Sequence, residues 1–205
     1  MKTKMLLITL LIGVLSSCAF LKKNTATRDK GVEINGVRWA TCNVDVPGSF
    51  AATPESAGKF YQWNRKTAWN TTDKKVENWD NTTPEGSKWT KANDPSPKGW
   101  CIPTRDELES LLDTAKVNRT WDDKKKAYIF TDKANGNSLF LPAVGFRSYS
   151  DGTRCYAGMF GYYWSSMQYD SFGAYHAYHL YFDSHHADCK NSHCAVGQSV
   201  RPVAE

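Results

Sequence analysis

The chain lacks the short signatures that usually mark catalysis. It has no Gly-rich phosphate loop, no G-x-S-x-G elbow and no H-E-x-x-H, so nucleotide binding, α/β-hydrolase chemistry and zincin chemistry each miss their usual scaffold. The body has no surplus of positive or negative charge. The formal net charge is +5, yet residues 31–205 carry 20 basic and 20 acidic side chains. A nucleic-acid-binding domain needs a basic footprint on its folded surface, so DNA and RNA are not expected partners. No repeat of solenoid period and no helical heptad is present. Carboxylate neighbours such as Asp122 and Asp123 lie beside Lys124, Lys125 and Lys126, which reads as a solvated turn and not as a hydrolytic pair. Aromatic residues are abundant, with eight Trp, ten Tyr and nine Phe. That supply of large apolar side chains excludes disorder for most of the 205 residues and suffices for one sizeable core.

Residues 1–17 read as a secretory signal. Lys2 and Lys4 precede Met5–Leu15, an almost uninterrupted apolar run too short to span a bilayer as a permanent helix. Leu15-Ser16-Ser17-Cys18 resembles the bacterial lipobox, which implies cleavage before Cys18 and acylation of that residue. Lipid chains supply about 0.8 kcal/mol per buried methylene, so a multiply acylated cysteine is a firm anchor. Residues 18–30 are then a lipidated polar tether, and residues 31–205 a single domain. The expected location is the cell envelope, lipid-anchored at the outer membrane or cell surface. Five cysteines remain, Cys42, Cys101, Cys155, Cys189 and Cys194. The number is odd, so at least one stays free or pairs between chains, and no spacing among them gives a standard zinc pattern.

Along the body, Asn35-Gly36 between two strand-like runs is a strong hairpin signal, because both turn positions tolerate positive φ. Residues 70–98 are polar but keep Trp79 and Trp89, which suits a long ordered loop. Thr104-Arg105-Asp106-Glu107 fits a capping box, and Leu108, Leu111 and Leu112 follow on one helical face. The clear helix is therefore expected near 104–115. From Trp121 onward short strands alternate with turns at Asn135-Gly136 and Asp151-Gly152. The expected class is α+β, one helix among irregular antiparallel sheets. Trp39, Trp100 and Trp164 sit in strand-like, apolar contexts and read as core. Arg147 and Arg201 read as structural, bonding loop carbonyls or a carboxylate.

Several motifs occur in a fixed order: Val37-Arg38-Trp39-Ala40-Thr41-Cys42-Asn43-Val44, Tyr61-Gln62-Trp63-Asn64, Asn93-Asp94-Pro95-Ser96-Pro97-Lys98-Gly99-Trp100, Gly145-Phe146-Arg147, Gly161-Tyr162-Tyr163-Trp164-Ser165-Ser166 and Ser199-Val200-Arg201-Pro202-Val203. The series resembles the Fibrobacter succinogenes major paralogous domain family of bacterial surface proteins and lipoproteins, over residues 32–203. The resemblance implies a C-type-lectin-like fold, shared with formylglycine-generating enzymes and with the variable proteins of diversity-generating retroelements. Ser96 and Cys101 depart from the family pattern, which has Cys and Arg there, so the usual partner of Cys42 is missing. The Glu-Pro-Asn or Gln-Pro-Asp element through which C-type lectins hold calcium and sugar is also absent, so the resemblance does not license sugar binding.

All five histidines fall between 176 and 193, inside a 27-residue stretch, 169–195, rich in Tyr, Ser, Asp, Ala and Cys with one Lys and no Glu, Gln, Met or Trp. Three explanations compete. A recognition surface is the first: Tyr, Ser, His and Asp combine contact area with adaptable hydrogen bonding, as in antibody paratopes, and the composition is similar to that of retroelement-diversified segments. Period two along AYHLYF sends Tyr178, Leu180 and Phe182 inward and His179, Tyr181 and Asp183 outward. The second is a metal or catalytic site at His185, His186, Cys189, His193 and Cys194; the two cysteines share the offset of the copper-binding pair in formylglycine-generating oxidases. The third is a tolerant loop closed by a Cys189–Cys194 disulfide, in a structural surface domain with no specific ligand. The reading adopted is non-catalytic binding of a macromolecular or glycan ligand, without a metal or cofactor. The candidate contacts are Tyr149, Tyr156, Tyr169, Asp170, Tyr175, His176, His179, Tyr181, Asp183, His185 and His186.

Overall fold

A computed structural model describes residues 29–170 and 175–205. The expected signal peptide, the lipidation site at Cys18 and most of the tether lie outside the described residues. The first hairpin forms where Asn35-Gly36 places it. Strand β1 (Val32–Ile34) turns through Asn35 and Gly36, at φ 49° and 78°, into β2 (Val37–Trp39). The polypeptide then forms β3 (Lys59–Gln62) and β4 (Trp69–Asn70), and a long loop leads to β5 (Trp100–Cys101). That loop is pinned by its tryptophans. Trp79 packs on Trp69 at 4.9 Å and donates to the Tyr149 carbonyl at 3.0 Å, while Trp89 is buried against Trp63.

Among the described residues there is one helix, α1, which spans Arg105–Ser110. Thr104 caps it as the sequence requires: the Glu107 amide donates to the Thr104 hydroxyl, and the Thr104 amide donates to the Glu107 carboxylate. It stops at Leu111, well short of residue 115, because the Asp113 carbonyl and carboxylate take the next amides, those of Ala115, Lys116 and Val117, into a turn.

The remainder is strand: β6 (Val117–Asp122), β7 (Ala127–Asp132), β8 (Ser138–Pro142), β9 (Phe146–Arg147), β10 (Arg154–Cys155), β11 (Gly161–Gln168), β12 (His176–Phe182), β13 (Ala187–His193), β14 (Gly197–Gln198) and β15 (Val203–Ala204). Among the described residues the strands form four small sheets with neighbour orders β1-β2-β15-β5, β10-β9-β14-β3-β4, β6-β7-β8 and β11-β12-β13, all named pairings antiparallel. The expected α+β, C-type-lectin-like class is therefore corrected. Among the described residues the chain is mostly β, with fifteen strands in several small sheets against one six-residue helix. One capped turn of leucines is too little to form a helical layer; Leu108 and Leu111 serve only as plugs in a core otherwise built by strands.

Two apolar clusters organise the body. The first gathers Ile34, Trp39, Leu108, Leu111, Phe130, Leu141, Tyr163, Leu180 and Phe182; the second gathers Val44, Tyr61, Trp63, Trp89, Trp164, Ala177, Cys194 and Val200. Trp39 and Trp164 are fully buried and Trp100 nearly so, as their contexts imply. Burial of each contributes on the order of 2–3 kcal/mol. The two buried arginines act as carbonyl clamps. Arg147 donates to the carbonyls of Asn70, Asp73 and Gly152, and Arg201 to those of Ala40, Thr41 and Phe140 and to the Asn43 side chain. Each thus ties segments far apart in sequence to one another.

Candidate recognition face

Strands β11, β12 and β13 carry most of the candidate residues. Antiparallel register puts directly opposed residues on one side of the sheet. Gly161, Phe182 and Ala187 share the first side with Tyr163, Leu180 and Cys189. Phe182 packs on Tyr128, Phe130 and Tyr163, and α1 lies over the same side. The second side carries Tyr162, Tyr181 and Asp188 in one row and Trp164, His179 and Lys190 in the next.

The expectation that His179 points to solvent is overturned. His179 is 2% exposed, with its ring 5.3 Å from Tyr162 and edge-on to Trp164 at 6.0 Å. Period two separates the two sides correctly, but both sides are covered, one by each core, so alternation does not mean alternation with water. Burial first, and then the nearby Lys190 ammonium, push its pKa down to about 3. The Ala177 backbone favours its protonation but does not offset burial. This imidazole is a neutral packing group. Tyr178, expected inward, is half-buried at the sheet margin, where Arg105 sits 4.4 Å above its ring and donates to its hydroxyl at 3.1 Å.

The other candidates do not form one continuous patch. Tyr149, Tyr175 and His176 gather around His193, at ring separations of 5.2, 6.4 and 5.7 Å. Burial and the adjacent His176 hold the His193 pKa below the usual imidazole value. Tyr169 stacks edge-on against Tyr178 at 5.1 Å, on the Arg105 side, and Asp170 beside it is exposed. Tyr156 and Tyr181 belong to a third and larger group. Tyr156 meets Phe160 at 4.9 Å and Phe146 at 5.8 Å; Phe160 meets Tyr181 at 5.7 Å; Tyr162 meets both Phe146, at 4.8 Å, and Tyr181, at 5.4 Å. The Lys190 ammonium lies 4.0 Å over the Tyr181 ring. Tyr156 and the adjacent Met159 are each more than half exposed. Burial, with the neighbouring Tyr156 phenol and Asp183, raises the Tyr162 pKa to about 12. Tyr181 is likewise raised, first by desolvation and then by its bond to Asp183, so both phenols remain protonated donors.

Asp183, His185 and His186 form the β12–β13 turn at the margin of this group. The Tyr181 hydroxyl donates to Asp183 at 2.7 Å, and the His185 and His186 amides donate to it at 2.8 and 2.9 Å. Burial opposes ionisation of Asp183, but these three donors outweigh it and its pKa is lowered. Asp183 thus holds the turn, and the two imidazoles are presented outward.

The cysteine readings change as well. Residues 187–193 are a strand paired with β12 over seven positions and not a tolerant loop, and Cys189 carries a free thiol, so no Cys189–Cys194 disulfide closes it. Cys189 sits beside Arg105 and Glu109, whereas Cys194 is buried in the second core; burial pushes each thiol up to about 12. Two thiols in separate environments, both strongly held as SH, are poorly disposed to act together as a copper pair. Among the described residues no group of three or more His, Cys, Asp or Glu side chains is arranged to hold a metal ion.

Sequence reasoning passed over Phe146, Phe160, Tyr162 and Lys190. Tyr162 was detectable, since it shares parity with Trp164 in Gly161–Gln168 and one of the two had to lie nearer the strand end. Phe146 and Phe160 come from outside the compositionally odd stretch; Phe146 is part of the Gly145-Phe146-Arg147 motif, but nothing in the sequence joins either ring to Tyr156 or Tyr181.

Residues 114–203 match a family described as a domain of unknown function (DUF8237). The match begins just before β6 and takes in both three-stranded sheets and the aromatic group. No curated protein and no solved structure matches the chain. No helix among the described residues is long and apolar enough to cross a membrane.

Proposed function

We propose that this protein is a non-catalytic cell-envelope lipoprotein, anchored through Cys18, that binds a macromolecular or glycan ligand through the aromatic group on the outer side of β11 and β12. The observation that carries the reading is the run Tyr156–Phe160–Tyr181–Tyr162. These are ring-to-ring contacts between 4.9 and 5.7 Å, capped by Lys190 and opening to solvent at Tyr156 and Met159. Aromatic side chains bring large contact area at low entropic cost, and their polar ends supply orientation. Tyr162 and Tyr181 stand on paired strands, and Tyr156 and Phe160 lean on them from the turn before β11 through ring contacts, so little ordering remains to be done on binding. The motif order that resembles surface lipoproteins, and the lipobox-like segment before Cys18, support the location. The composition of residues 169–195 supports a segment under selection for contact diversity; a reverse transcriptase and near-copy template beside the gene would sharpen that part.

The test is an array of glycans and envelope proteins probed with the full-length protein and with its Tyr156→Ala and Tyr181→Ala variants. Retention of a ligand by the parent and its loss in both variants is the expected result. A ligand retained equally by all three would remove this face from the function.

A further inference from the structure

Resting on that reading, we infer that the groove where three turns converge beside Phe160 is a subsite for one neutral hexopyranose ring of a glycan. The groove is lined by Trp121, Asp123 and Lys126 of the β6–β7 hairpin, by Met159 and Phe160, and by Ser184 and His185 of the β12–β13 turn. Its volume is about 290 Å³, at the small end of ligand sites, which run from about 300 Å³ upward. That fits a single ring and excludes a folded epitope. Phe160 is shared with the aromatic face through its contact with Tyr181, so a ring held here leaves the rest of a chain to run over Tyr156 and Tyr162.

The chemistry matches a pyranose, which has an apolar C–H face and a rim of hydroxyls that both donate and accept. Trp121, Phe160 and Met159 supply the apolar surface. The indole is fixed in place: it packs 6.1 Å from Tyr128 and donates from Nε1 to Asp123 Oδ1 at 3.0 Å. Lys126 also donates to Asp123 Oδ1, at 3.3 Å, leaving Oδ2 of a carboxylate that is 83% exposed with no bond among the described residues. Asp123 Oδ2, Lys126 Nζ, the Ser184 hydroxyl and the His185 ring thus offer acceptors and donors around one rim. Charge argues for a neutral ring. The Lys126 ammonium is already matched by Asp123, and Asp183 adds a second carboxylate nearby, so a uronate or phosphate would meet net negative charge.

The experiment uses full-length protein in a detergent without a sugar headgroup. Binding of the methyl glycosides of glucose, galactose, mannose and glucuronic acid is followed by saturation-transfer NMR. At least one neutral glycoside should bind in the millimolar range, with the glucuronide weaker. Trp121→Ala should weaken binding by about tenfold or more, the scale of one lost aromatic contact. Asp123→Asn, an exposed change that leaves the fold intact, should weaken it several-fold. Failure of every neutral glycoside to bind, or binding that both variants leave unchanged, overturns the subsite. If the array then yields a protein ligand that Tyr156→Ala abolishes, the broader reading stands and only the sugar is wrong. An array with no ligand of either class removes both.

Discussion

The two sides of the β11–β12–β13 sheet differ in what they bury. Beside Gly161 and Tyr163, the first side is closed by Leu180, Phe182, the β6–β7–β8 sheet and the leucines of α1. The second side begins as core, at Trp164 and Ala177. It passes through a buried imidazole and ends in phenols that reach solvent at Tyr156. One side is closed; the other grades along β12 from buried Ala177 through His179 to half-buried Tyr181, and the aromatic group then continues onto the turn at Tyr156 and Phe160. The aromatic group on that side takes its rigidity from the core beneath it.

Substitution tells the two sides apart, most strongly at Leu180. Leu180→Ala on the closed side should cost about 3–5 kcal/mol in a urea titration, since it opens a cavity in a fully buried site. Acid should expose the difference next. The His179 imidazole titrates at about 3 in the folded protein against an ordinary value of 6.5. The unfolded chain therefore takes up a proton below about pH 6.5 that the folded protein refuses until about pH 3. Its contribution is complete above pH 6.5 and shrinks as the pH falls through that window, by roughly 3 kcal/mol at pH 4. Thermal melts at pH 7 and pH 4.5 should show a drop that His179→Gln reduces. The lowered carboxylate of Asp183 loses its part only further down, as the pH passes through its depressed folded value.

Gly161→Ala tests the closed side by addition. A Cβ there would run into the Phe182 ring, and the overpacking should cost about 1–3 kcal/mol. Lys190→Ala, at an exposed cation over Tyr181, should cost less than about 1 kcal/mol. Equal costs on the two sides would contradict the division.

The parts of this arrangement set by local chemistry were legible in the residues. Asn35-Gly36 and Asn135-Gly136 fixed two hairpins, the Thr104–Glu107 box fixed the start of α1, and the buried tryptophans announced core. The clamping roles of Arg147 and Arg201 could be read because a lone arginine among apolar strand ends must find carbonyls. What depended on packing could not be read. The length of α1 hinged on Asp113 capturing the amides that follow it, and its share of the fold on how little one turn of leucines covers. His179 was misplaced because alternation reports which side a residue takes and not what covers that side. The grouping of Tyr156 and Tyr181 with Phe146 and Phe160 joins segments that only the tertiary fold brings together, so composition could mark the neighbourhood without showing the face.

The graded side of the sheet is the ligand-contacting surface we propose. The most direct measurement is the affinity of the full-length protein for the ligand recovered from the array, compared among parent, Tyr181→Ala and Tyr178→Phe, the last removing only a hydroxyl on the opposite side. The account predicts a loss of about tenfold or more for Tyr181→Ala, with Tyr178→Phe unchanged. Loss in Tyr178→Phe with Tyr181→Ala unaffected would contradict it.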